Sequence, residues 1–334
     1  LGGLFFLFFL LIIFSNKSFN YKMTNLTYSG DSNFTSESNI KDNLFKIFII
    51  YSLLSIVILS LLNISGVRLF NSLNLSMTLI SGGGFLPIDS LGKIISTNFQ
   101  KIILIFSFMI SMLNFYLLLN IFNKNILTKD HKEDLYLVLL FIVFCCLIYF
   151  NNYNVLDIII SVSSSLANSG LTLMESDNNL SLYFLLITII GGSLISNSSG
   201  IKLTRFYILL KITSLEIIKL ISPNSIINKT IFGSDKKIID DHVKISFLIF
   251  ISFFLSLFIL SSLLVVDNIG FEKSFKLSIL TLTNTVNSEM YNMQNLNFAN
   301  LLTSSKISLI LFMIIGKIEL ISIFLIFKKI LFKD

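Results

Sequence analysis

The chain has 334 residues, of which 54% are hydrophobic and only 13% charged, with a formal net charge of +6. An ordinary soluble domain is about 25% charged, and a water-soluble fold cannot hide this much apolar surface, so a cytosolic enzyme is excluded; intrinsic disorder needs low hydrophobicity and is excluded as well. Cys145 and Cys146 are neighbours inside an apolar run, and His131 and His242 stand far apart. These give no disulfide framework, no metal-ligand spacing and no catalytic cluster, so the chain is read as a non-enzyme without a cofactor of its own.

Seven apolar runs follow in chain order, at residues 1–14, 45–62, 101–122, 135–150, 180–195, 243–266 and 305–327. Each is expected to form a membrane-spanning helix, which needs about 20 residues. The first begins at Leu1 without a Met, and lacks the basic leader and small-residue cleavage site of a signal peptide. It is read as the end of a longer N-terminal part. Basic residues gather in alternate connections. Lys17, Lys22, Lys41 and Lys46 lead into the second run, and Lys124, Lys129 and Lys132 follow the third. A long series from Lys202 and Arg205 to Lys244 follows the fifth, and Lys328, Lys329 and Lys333 lie at the end. Such connections face the cytoplasm, and Lys202 and Arg205 are expected to snorkel to that inner surface. The positive charge therefore reports topology, with a lipid bilayer as partner and no nucleic acid.

The connections on the other side are unlike ordinary loops. Residues 69–90, 155–176 and 274–292 each hold about a dozen semi-apolar residues, then a knot of Gly, Ser, Thr and Asn. A dozen residues are too few to cross a bilayer and suit a re-entrant segment. The unit of spanning helix, re-entrant helix, small-residue loop and spanning helix thus recurs three times, and the first run looks like the end of a fourth copy. The expected fold class is an all-α polytopic membrane protein with pseudo-symmetric helix–pore-loop–helix repeats around a central ion pore. The boundaries are 1–14 for the last helix of repeat one, 15–44 for a cytoplasmic linker, 45–122 for repeat two and 123–134 for a cytoplasmic loop. Repeat three takes 135–211, a basic cytoplasmic segment 212–242 and repeat four 243–330. Non-helical backbone survives at membrane depth only where protein or water surrounds it, and carbonyls exposed on a shared axis can replace an ion's hydration shell. Asp89, Glu175, Asp177, Asp267, Glu272 and Glu289 all fall in the outer connections, where a negative mouth would concentrate cations.

Two further features interrupt the helical pattern. The fifth run ends in a Ser- and Asn-rich stretch, Ser193 to Gly200, whose residues compete for backbone hydrogen bonds, so the helix is expected to unwind there. The last run carries Lys317 and Glu319, which point to different faces and cannot pair with each other. Intramembrane charges face a bundle interior, and Gly316 lets another backbone approach. Lys317 is expected to reach the broken segment, or else to neutralise a buried carboxylate such as Asp157.

These segments resemble the TrkH/TrkG/KtrB superfamily of potassium-uptake proteins. GGSLISNSSGIKLTRFYILLK (191–211) is similar to the family's GG-x-x-GST-x-GG-I-K-x-x-R segment. GGFLPID (83–89) with NFYLLL (114–119) resembles the second filter loop, ANSGLT (167–172) the third and NTVNSEM (284–290) the fourth, while GKIE (316–319) resembles G-R-x-E. The resemblance implies K⁺ uptake at the cell membrane through a selectivity filter, with K⁺ held by backbone carbonyls alone and the pore loops on the outer side. It also implies a homodimer, a cytoplasmic nucleotide-binding regulatory subunit, and a first filter loop lying before residue 1. Carried over residue by residue, the filter is Ser81, Gly82, Gly83 and Gly84; Ala167, Asn168, Ser169 and Gly170; and Asn284, Thr285, Val286 and Asn287. The intramembrane gate is Ser193, Ser196, Asn197, Ser198, Ser199 and Gly200, with Lys317 in the place of the family's arginine.

The sequence departs from the family at Asn287, where Gly is usual, and at Ile195, Asn197, Ser198 and Ser199, where the family has small Gly and Thr. A Cβ at a position of positive φ costs energy, with Asn tolerating it best. Asn287 is therefore the expected weak point of K⁺ over Na⁺ discrimination. Three readings follow: K⁺ transport, a poorly selective, Na⁺-carrying or decayed homologue, and a secondary transporter of another solute with broken helices at the midplane.

Overall fold

The computed structural model describes residues 2–15, 40–88, 90–122, 132–151, 153–174, 178–222, 230–232, 238–286, 288–293 and 298–318. The linker 16–39, most of the loop 123–134, parts of 212–242 and residues 319–330 lie outside the described residues, as do Asp89, Glu175, Asp177, Asn287 and Glu319. What is described is α-helical, with a few short 3₁₀ turns and no β-strand among the described residues.

Helix α1 (Gly2–Ser15) precedes three successions of a long helix, a short helix and another helix. These are α2 (Ile40–Ile64), α3 (Leu69–Ser81) and α4 (Asn98–Met112); α6 (Lys132–Tyr149), α7 (Val155–Leu166) and α8 (Asn178–Ile190); and α10 (Asp240–Val266), α11 (Phe271–Leu282) and α12 (Thr303–Ile318). Helix α5 (Phe115–Phe122) continues from α4, and α9 (Leu203–Ile221) follows α8 across an unwound stretch. At 1.5 Å per residue the 27 residues of α10 reach about 40 Å, enough to cross a bilayer. The short helices reach about half of that.

Large apolar side chains cover the outer surface as well as filling the core, unlike in a soluble protein. Leu255, Phe258 and Ile259 of α10, Ile102 and Phe106 of α4, and Leu182 and Leu186 of α8 stand exposed. This is the surface that lipid chains cover. Around the short helices, by contrast, Ser161, Ser163, Ser164, Ser165, Ser274, Ser278 and Thr281 are buried. Their hydroxyls are satisfied locally, for instance Ser165 Oγ on Ser161 O at 2.7 Å and Ser278 Oγ on Ser274 O at 2.7 Å. Small hydroxyl side chains let helices approach closely and still bond their polar atoms inside.

Specific ties set the helices against one another. Thr97 and Gln100 form a capping box at the start of α4, and Gln100 Nε2 then reaches Ser65 O at 3.0 Å, holding α4 to the end of α2. Lys101 Nζ lies 2.7 Å from Asp157 Oδ1 and joins α4 to the first turn of α7. Asp157 is thereby engaged by Lys101, and the alternative pairing with Lys317 is not what forms. Three sequence expectations change. The run 101–122 is broken at Leu113 and Asn114 into α4 and α5, although no Gly or Pro marks the break. Helix α8 stops at Ile190, short of the apolar run's end at Ile195. Lys202 and Arg205 do not snorkel to a surface but are buried.

Gly316 of α12 does admit another backbone: a Cβ placed there would stand 2.1 Å from Leu282 O, at the end of α11. Gly316→Ala is expected to lower stability by about 1–3 kcal/mol through overpacking. The thermal unfolding midpoint of the detergent-solubilised protein reads this directly. Gly92→Ala, whose Cβ would meet only Leu173 Cδ2 at 3.9 Å, should leave the midpoint unchanged.

Candidate functional site

Helices α3, α7 and α11 end in the same way. Gly82 N donates to Leu79 O at 3.4 Å and Gly83 N to Thr78 O at 3.0 Å; Asn168 N donates to Ser165 O at 3.1 Å and Ser169 N to Ser164 O at 3.0 Å. In the third copy Asn284 N donates to Thr281 O at 3.1 Å and Thr285 N to Leu280 O at 2.9 Å. This paired closure needs a left-handed residue just past the helix, and Gly82 (φ 64°), Asn168 (φ 57°) and Asn284 (φ 51°) supply it. Gly and Asn are the residues that adopt it at least cost. The bonds fix which residues correspond: Gly82, Asn168 and Asn284; then Gly83, Ser169 and Thr285; then Gly84, Gly170 and Val286. The quartet inferred from sequence as Asn284–Asn287 is offset by one residue from this bonding register, in which Thr283 corresponds to Ser81 and Ala167. Asn284, not Thr285, takes the left-handed turn, and Val286 stands opposite the two glycines. Asn287 itself lies outside the described residues.

The three loops meet. A Cβ at Gly84 would stand 1.9 Å from Ser169 O and 2.7 Å from Val286 Cγ2; one at Gly170 would stand 2.4 Å from Val286 O. Gly82 faces Ala167 O, 2.9 Å from its own Cβ position. Backbone thus packs on backbone with no room for a side chain at Gly84 or Gly170. Asparagine side chains moor each loop from outside this contact. Asn168 Nδ2 donates to Thr188 O of α8 at 2.8 Å, and Asn284 Nδ2 to Met313 O of α12 at 3.0 Å. In the first loop, where glycine occupies the same place, Asn197 reaches in instead and donates to Ile80 O at 2.7 Å.

That asparagine belongs to the unwound stretch between α8 and α9, which includes the expected gate residues Ser193, Ser196, Asn197, Ser198, Ser199 and Gly200. All except the half-buried Gly200 are buried. Its backbone finds partners on every side. Ser193 N donates to Met112 O at 3.0 Å and Phe115 N to Ile195 O at 2.7 Å, so the break between α4 and α5 and the break after α8 satisfy each other. Glu133, in the first turn of α6, accepts from Leu194 N at 2.8 Å and from the Thr204 hydroxyl. Its neighbour Asp134 accepts from Asn114 N at 2.9 Å. Lys202 Nζ folds back onto Ser196 O at 3.3 Å and onto Ser198 O. From the opposite side Lys317 Nζ donates to Asn197 O at 2.7 Å and sits 4.8 Å from the centre of the Phe6 ring of α1. Glu133 and Asp134 are the residues that sequence reading missed as parts of this assembly. The sequence signal for both was a pair of acids at the start of an apolar run.

Two cavities adjoin the loops. One of about 580 Å³ lies among α1, α3, α11 and α12, bordered by Gly82, Gly83, Thr285, Val286 and Lys317. The other, of about 440 Å³, is bordered by Gly84, Gly170, Thr172, Val286, Ser288 and Glu289. The acidic cluster expected at the mouth is reduced to Glu289 among the described residues lining this cavity. Asp267 instead accepts from Ser304 and Ser305 at the start of α12. Glu272 is engaged by Lys276 at 2.7 Å, whose hydrogen bond and charge hold the exposed carboxyl below the usual carboxylate range.

No model of a known protein family matches the chain. Over 311 residues the sequence is 26% identical to an uncharacterized cation transporter of Methanocaldococcus jannaschii, an alignment covering 86% of this chain and 59% of that protein. The fold superposes on the crystal structure of the potassium transporter TrkH from Vibrio parahaemolyticus with a TM-score of 0.76 and 20% identity, covering 87% of this chain and 65% of that one. The chain thus spans about three fifths of the length of both. The comparisons bear out the resemblance to the TrkH/TrkG/KtrB superfamily and the all-α membrane fold that it implied.

Glu133→Ala would strip the acceptor from two buried donors and should lower stability by about 3 kcal/mol. Amide exchange at Leu194 should accelerate, and Glu133→Gln, which keeps an acceptor oxygen, should restore most of the loss.

Proposed function

We propose that this chain is the pore-forming part of a monovalent-cation transporter, a conductor of ions and not an enzyme, with K⁺ as the favoured ion. The observation that carries the reading is the meeting of three loops in one hydrogen-bond register, so close that Gly84 and Gly170 cannot carry a side chain. Such loops can offer ions backbone carbonyls in place of water. On this reading the filter quartets are residues 81–84, 167–170 and 283–286, each belonging to one helix–pore-loop–helix repeat. The cavity at Glu289 is the outer mouth of the path. An organic-solute transporter would need a charged or anchoring site among the loops, and residues 81–84, 167–170 and 283–286 carry no charged side chain.

The stretch from Ser193 to Gly200 is the gate on this reading, and Lys317 is its latch. Lys317 holds Asn197 O while Asn197 Nδ2 holds Ile80 O at the end of α3, so one residue links the ammonium group to the base of a filter loop. A positive charge about 4 Å from the path opposes a monovalent cation by about 4 kcal/mol at an effective dielectric constant of about 20. Moving the stretch with its lysine would remove that barrier. Drive would come from the basic segment after α9, through a second copy of the chain and a cytoplasmic nucleotide-binding subunit of the kind the family resemblance implies.

Radiolabelled rubidium uptake by a host lacking its own potassium uptake tests the activity: expression of the natural full-length protein should restore uptake, and an organic-solute transporter would not. Lys317→Ala should raise basal cation leak in protein that still folds and inserts. Lower expression without leak would instead make Lys317 a structural tie. Glu289→Gln should depress uptake more at low ionic strength than at high, since screening removes the attraction of a negative mouth.

A further inference from the structure

We infer that the oxygens of Ser196 and Ser198 form a site for a small monovalent cation, and that its resident cation is the ammonium group of Lys202. The inference stands apart from the transport reading, since it needs no ion to cross the protein. The side chain of Lys202 turns back onto the loop that precedes it. Its Nζ lies 3.3 Å from Ser196 O, 3.2 Å from Ser196 Oγ and 3.2 Å from Ser198 Oγ, and it also donates to Ser198 O. An ammonium group has only three N–H donors for these acceptors. The surroundings therefore suit a compact point charge better than a set of paired bonds. Carbonyls of unwound backbone are what coordinates small cations inside membrane proteins. Lys202 and Glu133 also attract each other electrostatically, so the site has a carboxylate within reach of its field.

The oxygens are set in place by groups other than the lysine. Ser196 Oγ donates its proton to Ser193 O at 2.8 Å. The 2.6 Å bond between the two hydroxyls must then use the proton of Ser198 Oγ, which itself accepts from Gly192 N at 2.9 Å. Both hydroxyl protons are thereby taken up, and lone pairs are what remain for the ammonium group. Gly192 leaves room for them: a Cβ there would stand 2.6 Å from Ser198 Oγ and 3.1 Å from Ser196 Oγ. Ser196, Ser198 and Lys202 are all buried, and buried acceptors left without a partner are costly. Lys202 itself takes a positive φ of 76°, a region that residues other than Gly and Asn seldom enter. Such a conformation persists where the surroundings over-determine it. Here Lys202 N is held on Ile190 O at 3.0 Å and Leu203 N on Gly192 O at 3.2 Å. The unwound stretch thus carries a tethered cation, and a free cation of similar size takes its place when the tether is removed.

Two substitutions remove the ammonium group and differ in what they leave. Lys202→Gly relieves the positive φ and opens a space that a free cation can enter. Lys202→Met keeps an unbranched apolar chain there and blocks it. Amide exchange at Ser193 and Phe115 reads the fold of the stretch, because these amides donate to Met112 O and Ile195 O and not to the groups that are changed. The natural full-length protein and both variants are compared in chloride salts of N-methylglucamine, potassium and ammonium at one ionic strength. Each variant is read against the parent in the same salt, which removes the effect of ions bound elsewhere. In N-methylglucamine both variants should exchange about tenfold faster than the parent, the scale of a lost hydrogen bond to a charged group. Potassium and ammonium should return Lys202→Gly to the parent's rate, since a cation that binds only the folded stretch stabilises it, and should leave Lys202→Met fast. Either variant that matches the parent in N-methylglucamine shows that the oxygens need no cation, and overturns the inference. A Lys202→Gly that stays fast in every salt, or that yields no folded protein in any of them, overturns it as well. Restoration of Lys202→Met together with Lys202→Gly places the acting cation elsewhere, with the same consequence. Folded Lys202→Gly recovered only in potassium or ammonium, with Lys202→Met recovered in neither, supports it. Cation uptake plays no part in these readouts, so their failure leaves the transport reading untouched.

Discussion

Backbone that leaves the helix inside a lipid-covered body must find every hydrogen-bond partner within the protein. Residues 191–202 meet that demand by borrowing from four helices. The end of α4 lends Met112 O and the start of α5 lends Phe115 N; α6 lends Glu133, and α12 lends Lys317. Two interruptions, each costly alone, are stable together because the open groups of one are the partners of the other. The arrangement also explains two carboxylates buried in the first turn of an apolar helix. An unpaired charge in such a place costs several kcal/mol, and here Glu133 and Asp134 accept from backbone amides that the breaks have freed.

The same demand shapes the three loops, with a different solution. Each short helix closes its own last carbonyls through a left-handed residue, and the asparagine or glycine there is what a tight closure requires. Once closed, the loops are narrow enough to stack against one another at Gly84 and Gly170. The moorings of Asn168 on Thr188 and Asn284 on Met313 fasten two of them to the following helix. The first loop lacks a side chain at that place, and Asn197 supplies the missing tie from the unwound stretch. That exchange mechanically couples the stretch to one loop in particular, through a single residue that Lys317 also holds.

Much of this was legible in the chain. Apolar runs of spanning length, dozen-residue segments ending in small residues and the polar break after the fifth run all follow from local composition. Lipid and water impose their demands residue by residue, so the class of fold could be read directly. Gly316 and Lys317 stood out for the same reason, as a small residue and a charge where neither is expected.

Register and partnership were not legible, because they depend on atoms far apart in sequence. Whether α11 ends at Leu282 or one residue later decides whether Val286 or Asn287 stands with the glycines, and one-residue shifts are invisible to hydropathy. The break at Leu113 and Asn114 has no Gly or Pro to announce it and exists because Ser193 and Ile195 receive it. Lys202 read as a surface lysine until the serines of its own loop were seen to surround its ammonium group. Composition and periodicity determined where the polar residues had to be hidden; only the tertiary structure decided which of them would satisfy which, since a hydrogen bond is set by distance and direction in space and not by position along the chain.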